Sequence, residues 1–265
     1  MKGKKGMHPI LFKIGPITIG TYGVFVALGV FLAIVVGRYL SRKEGIDPEA
    51  LTDFYIYSII MGFIGAKLAL IITDFKEFSA HPFEYLFQNL RYFGAFYGGF
   101  IVAVLFAIFF IRRKRLSFLQ VADITSVSLP LAQAIGRWGC FFAGCCYGAP
   151  TDLPWGLVFP AVPLCSDGTR IHPWPLYEFL LDISIFAFLF NFFPKRRFSG
   201  QSFIFYLLFY AVGRFLLEFL RGDEIRGLYF NKSVSLSQIF AIAVILGAIS
   251  LYLFLLKKNK NEENE

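Results

Sequence analysis

The sequence predicts an all-α integral membrane protein, a single domain over residues 1–265, with seven transmembrane helices and a small outward-facing cap between helices 4 and 5. Three observations carry that class. The chain is 57% hydrophobic and 19% aromatic but only 17% charged, where soluble domains hold about a quarter of charged residues. Its mean hydropathy is +0.62. Its apolar runs are solid rather than alternating and roughly 20 residues long, enough to cross a hydrocarbon core of about 30 Å as helices. A helix satisfies its own backbone polar groups, as any span in lipid must.

The spans fall at 17–37, 52–73, 93–111, 118–136, 176–194, 202–220 and 235–256. Basic clusters follow the odd-numbered spans: "GRYLSRK" (37–43), "RRKR" (112–115), "KRR" (195–197) and "KKNK" (257–260). Short loops rich in Lys and Arg stay cytoplasmic, which places the N-terminus outside and the C-terminus inside. Lysines 2, 4, 5 and 13 oppose that reading but are outweighed by four clusters. The net charge of +8 is accounted for by these clusters and by anionic lipid headgroups, so it does not point to nucleic acid. The N-terminal stretch lacks a short apolar core with a small-residue cleavage site, so no removable signal peptide is expected.

Taken in order, span 1 opens on "TYG", where Tyr22 is an interfacial aromatic by default. Span 2 carries Lys67 and span 4 carries Asp123, both read as members of internal ion pairs. Span 3 opens on "GAFYGGF", in which Gly98 and Gly99 beside Tyr97 thin the helix and leave room for an acyl chain or headgroup. Span 4 ends at "GRWGCFFAGCCYG" (136–148), with Arg137 between Gly136 and Gly139 at its outer end. Glycines there permit a close backbone approach to a ligand or a sharp exit from the helix. Residues 137–175, rich in Gly, Pro and Trp, form the cap, in which His172 orders the junction to span 5.

Ionisable residues inside a span read as functional by default. In span 6, "YAVGRFLLEFLRGDE" sets Tyr210, Arg214, Glu218 and Arg221 at spacings of four, four and three, on one stripe of a helix. A purely structural Arg–Glu–Arg ladder is the bland alternative. Two cations against one carboxylate nevertheless leave a positive surplus that suits a phosphate.

Together, "TYG", "GAFYGGF", "GRWGCFFAGCCYG", "HPWPLYE" (172–178) and "GRFLLEFLRGDE" resemble the prolipoprotein diacylglyceryl transferases over Ile17 to Leu256. The resemblance implies a bacterial inner-membrane enzyme that moves a diacylglyceryl group from phosphatidylglycerol to the lipobox cysteine of a preprolipoprotein. A thioether forms and glycerol phosphate leaves, with no cofactor and no metal. It implies Arg137, Arg214 and Tyr97 as catalytic residues. It implies Tyr22, Gly98, Gly99, Gly139, Cys140, Gly148, Tyr210, Glu218 and Arg221, with Arg137, as substrate-binding ones. The partners are phosphatidylglycerol, the preprolipoprotein signal peptide and membrane lipid.

The chain departs from the family's usual signature, G-R-x-G-N-F-x-N-x-E-x-x-G. Cys140 and Ala143 replace its asparagines, Cys145 replaces its glutamate, and Tyr97 stands where a histidine usually precedes the Gly-Gly pair. The proton acceptor is then Tyr97, a water or a group elsewhere. The cysteines read as small buried replacements, or as a staple from Cys165 to the cluster. C-x4-C-C lacks the C-x2-C spacing of zinc sites. Three other classes stay open: a divergent paralogue with another acceptor, an anionic-lipid transporter, and a thiol-redox or metal-handling protein built on "GCFFAGCC". A transporter would be expected to show internal repeats, and the sequence shows none.

Overall fold

The structure is a computed structural model describing residues 8–15, 17–89, 96–159, 165, 168–222, 228–229 and 234–262. Lysines 2, 4 and 5, the first residues of the third span and most of 221–234 lie outside them. Two antiparallel strands, β1 (Ile10–Ile14) and β2 (Ile17–Gly20), lead into α1 (Thr21–Lys43). Then come α2 (Pro48–Thr73), the short α3 (Phe75–Ala80) and α4 (Pro82–Asn89), and α5 (Phe96–Arg113). They are followed by α6 (Phe118–Ala143), α7 (Trp174–Phe192) and α8 (Gln201–Leu217), a two-stranded ribbon of β3 (Leu228–Tyr229) and β4 (Val234–Ser235), and α9 (Leu236–Glu262).

Among the described residues, six helical stretches are long and apolar enough to cross a membrane: Thr21–Lys43, Pro48–Thr73, Phe118–Ala143, Trp174–Lys195, Gln201–Leu220 and Leu236–Asn261. The third predicted span coincides with α5, of 18 residues. Several boundaries differ from expectation, and two of them lie close to the predicted site residues. Residues 17–20 are strand, because they pair with β1 rather than continuing α1. Helix α6 runs on to Ala143, so Arg137, Gly139 and Cys140 sit within a helix rather than in the loop after one.

The side chains are sorted as lipid requires. Val24, Leu28, Phe31 and Val35 line one exposed stripe of α1, while Asp123, Glu178, Asp182, Ser202 and Glu218 are buried. Buried polar groups beneath exposed apolar ones reverse the pattern of a soluble domain.

The chain forms two compact units, 1–36 with 122–265, and 37–121. In the first, glycines allow α1 and α6 to touch. A Cβ on Gly29 would stand 2.8 Å from the Ala132 carbonyl oxygen, and one on Gly139 would stand 3.1 Å from Tyr22 Cα. Gly139 therefore admits a helix, which corrects its reading as a point of ligand approach or helix exit. Asp123 behaves as the internal partner expected of it. Its carboxylate accepts hydrogen bonds from Gly200 N (2.7 Å) and Phe203 N (2.9 Å) at the start of α8 and pairs with Arg196 Nε at 3.2 Å. This is helix capping supplied from another helix.

In the second unit Asp47 caps α2 through Glu49 N and Ala50 N, with Pro48 opening the helix. Helices α2 and α5 meet on small residues. A Cβ on Gly65 would lie 2.5 Å from Val102 Cβ, on Gly98 2.1 Å from Ala69 Cβ, and on Gly99 2.7 Å from the Gly62 carbonyl oxygen. Small residues of this kind let membrane helices approach closely. The room expected beside Gly98 and Gly99 is thus filled by α2.

Candidate active site

Three helices of the first unit bring charge to one point. Arg137 on α6 places Nε 2.6 Å from Glu178 Oε2 on α7, and Arg214 on α8 bonds the other oxygen of the same carboxylate through NH1. Glu178 is buried, whereas the Arg137 side chain is 26% exposed. Arg214 also reaches Glu218 at 3.3 Å, one helical turn on. The helix then tightens into a 3-10 turn, Glu218–Leu220, and Arg221 leaves it in extended conformation, still 3.9 Å from Glu218. The Arg–Glu–Arg ladder of span 6 exists, and Glu178 extends it to a third arginine. Three guanidiniums joined to two carboxylates keep the positive surplus.

Trp174, the first residue of α7, is the platform beneath this network. The Arg214 and Arg221 guanidinium carbons each lie 4.9 Å from its ring centroid and that of Arg137 lies 5.4 Å away. Its Nε1 donates to the Leu217 carbonyl at 3.1 Å, which ties the start of α7 to the end of α8. A cation over an aromatic face gains about 0.5–2 kcal/mol, more as water is excluded. Deeper along α7, Asp182 is buried and its Oδ1 has no hydrogen-bond partner among the described residues. Tyr210 stacks on Tyr206, whose hydroxyl donates to Gln133 Oε1 at 3.0 Å.

The segment after α6 is laced to this site by backbone bonds. Gly148 N donates to the His172 carbonyl and Ala149 N to the Leu220 carbonyl. A Cβ on Gly148 would strike both His172 and Leu220, so only glycine fits there. The Tyr177 hydroxyl accepts from Trp155 Nε1 at 2.9 Å and lies 3.1 Å from His172 Nδ1, so His172 orders this junction as expected. Phe159, Cys165 and Ile171 form a small buried cluster against Phe141 of α6.

Helix α6 ends in a Schellman turn: Cys145 N donates to the Cys140 carbonyl and Gly144 N to the Phe141 carbonyl, with Gly144 at φ 72°. That turn sets the residue after its glycine over the last helical turn, and so places Cys145 on Cys140. Cys146, itself at φ 57°, brings in a third sulfur, and all three lie within 4.8 Å of one another. Hydrogen bonds from the Cys140 and Cys145 thiols, with the Arg137 and Arg221 guanidiniums behind them, push the Cys146 thiol below its ordinary range. All four cysteines are free thiols, so no staple joins Cys165 to the cluster.

Residues 9–254 match the prolipoprotein diacylglyceryl transferase family. The chain belongs to that family. It is 36% identical over 251 residues to the phosphatidylglycerol–prolipoprotein diacylglyceryl transferase of Clostridium tetani, covering 94% of this chain and 97% of the relative. Its likeness to the Clostridioides difficile protein of the same name is 32% over 260 residues, or 98% and 100% of the two chains. The Staphylococcus aureus protein is 31% identical over 259 residues, or 94% and 89%.

Of the residues that resemblance to this transferase family singles out, the structure gathers Arg137, Arg214, Glu218 and Arg221 into one network. Tyr22 and Gly139 meet at the α1–α6 contact, and Cys140 is buried beside the other thiols. Tyr97, Gly98 and Gly99 lie on α5 in the second unit, where Tyr97 is exposed. Sequence reasoning left Glu178 and Trp174 out of the candidate site. The signal for Glu178 was present, since a carboxylate in an apolar span is functional by default. Trp174 carried no such signal, because an aromatic at a span's edge is ordinary.

Proposed function

We propose that the arginine network is the headgroup site of a phosphatidylglycerol–prolipoprotein diacylglyceryl transferase, and that Arg137 and Arg214 hold the lipid phosphate. The observation that carries this is the shared carboxylate of Glu178, which draws guanidiniums from two distant stretches onto one point. The sulfur of the lipobox cysteine attacks the diacylglyceryl carbon bonded to the phosphate oxygen. The C–S bond forms, the C–O bond breaks, and glycerol phosphate leaves with the electron pair. Charge grows on the departing phosphate, where each fixed donor lowers the barrier by about 2.7–4 kcal/mol. Guanidinium forks meet phosphate oxygens in pairs, as a lysine cannot.

The attacking group reacts as thiolate, and nearby cations lower a thiol's pKa from about 8.5. The same arginines therefore ease its ionisation, so a weak acceptor suffices. A water takes that proton, which ends on the glycerol phosphate. Tyr22, Cys140, Gly148, Tyr210, Glu218 and Arg221 line the substrate path in this reading. The chain sits in the bacterial inner membrane as seven spans, with α5 the third. Its N-terminus and the 137–175 cap face outward and its C-terminus is cytoplasmic, in keeping with the four basic clusters. Complementation tests the function: the chain restores lipoprotein maturation to a strain depleted of its own diacylglyceryl transferase, and Arg137→Ala does not. Failure of the unaltered, membrane-inserted chain to complement favours a paralogue with another acceptor.

A further inference from the structure

No bond made or broken in the proposed transfer involves the thiols of Cys140, Cys145 and Cys146, and their geometry supports a separate role. We propose that these three side chains form a binding site for one thiophilic d10 cation, of the Cu+ or Zn2+ class, beside Arg137 and Arg221.

The spacing fits a metal closely. Metal–sulfur bonds of about 2.3 Å in a trigonal site hold the sulfurs about 4 Å apart, and here the three already lie within 4.8 Å. Side-chain shifts of under about 1 Å close the site at that bond length. A disulfide demands more, since its sulfurs sit about 2.05 Å apart, and it would leave the third thiol unused.

The donor set selects the ion. The cluster is all sulfur, which suits Cu+ and Zn2+ rather than the hard cations that oxygen ligands hold. The site also has its counter-charge: three thiolates around a divalent or monovalent ion carry one or two negative charges, Arg137 stands one helical turn before Cys140 on α6, and Arg221 bridges Gly148, two residues past Cys146. Charged neighbours outside the ligand shell tune a metal site in this way.

The scaffold is local backbone rather than long loops. The Schellman bonds at 3.1 and 3.2 Å fix Cys140 against Cys145, and Cys146 follows in the chain. The C-x4-C-C spacing, unlike that of zinc ribbons, works here because the helix end folds back on itself. Cys165 stands apart, buried with Phe159 and Ile171, and serves as an internal control.

The test uses the purified full chain in detergent, reduced with a phosphine. It is loaded separately with Zn2+ and with Cu+, desalted, and counted by mass spectrometry. One ion per chain is expected with at least one of the two metals, with three sulfur neighbours by X-ray absorption. Retention is expected to be lost in the Cys140→Ser/Cys145→Ser/Cys146→Ser chain and kept in Cys165→Ser. No retained ion of either metal, fewer than three sulfur neighbours, or loss in Cys165→Ser alone overturns the site. The sulfur count comes from unaltered protein, so it decides the question even if the triple variant fails to fold.

One consequence rests on the transferase reading. A bound ion engages Arg137 and Arg221, so loading raises KM for phosphatidylglycerol, and a chelator reverses the rise. A metal-loaded chain whose KM does not move overturns this consequence and leaves the site standing.

Discussion

Arg137 and Arg214 divide the work of Glu178, and two kinds of substitution separate charge from geometry. Arg137→Lys and Arg214→Lys keep the positive charge but lose the planar fork. Each is expected to slow glycerol phosphate release by about 10²-fold or more while leaving thermal unfolding in detergent nearly unchanged. Near-normal release by either variant would remove that arginine from the site. Glu178→Ala does the reverse, stranding two guanidiniums on a buried carboxylate's empty place. Breaking a buried pair from one side costs about 3–5 kcal/mol, so a clear drop in melting temperature is expected, and an unchanged one contradicts the network. At this scale the sequence was partly legible. Arg214 and Glu218 showed in the four-residue spacing, and Arg137 showed through the resemblance. Glu178 stood in the block "HPWPLYE" but drew no role in the site, and Trp174 gave no signal, because their importance lies in what approaches from other helices. The cysteines of "GCFFAGCC" were plain in the sequence, but their spacing weighed against a metal there. A ligand-spacing rule written for zinc ribbons does not anticipate a helix end that curls back through Gly144.

Among the elements, α2 and α5 depend on small residues. Gly65→Val puts a branched side chain where Val102 Cβ already lies 2.5 Å from a single added carbon. Overpacking of this kind destabilises by about 1–3 kcal/mol, readable as a lowered unfolding midpoint. Stability equal to that of the unaltered chain would count against this contact. The short helices after α2 are pinned by Tyr85, whose hydroxyl donates to Asp74 Oδ2 at 2.9 Å. Burial, and then that hydrogen bond, push Tyr85 up to about 12. The fold favours the protonated form, so Tyr85 stabilises below the ordinary tyrosine pKa of about 10, and its contribution is lost as pH rises through the folded value. Subtracting the ultraviolet titration of Tyr85→Phe from that of the full chain should leave one late-ionising tyrosine. A difference curve centred near the ordinary value would contradict this packing. Element boundaries were less legible than element existence. Hydropathy marks where lipid contact ends, whereas α6 continues for seven residues past 136 on local backbone bonding. Residues 17–20 pair as strand despite being apolar.

At the level of the whole molecule, composition alone separated this chain from soluble proteins, and the buried polar residues beneath an apolar exterior agree with that. The family likewise followed from the order of five short blocks, none of them decisive alone. What stayed illegible is the convergence of α6, α7 and α8, since tertiary packing decides which charges meet. The central claim is that guanidiniums from residues 137 and 214 grip one lipid phosphate. A cryo-electron microscopy map of the chain in nanodiscs rich in phosphatidylglycerol tests it most directly. Headgroup density is expected with its phosphate within hydrogen-bond distance of both Arg137 and Arg214. A well-defined headgroup that touches neither would contradict it.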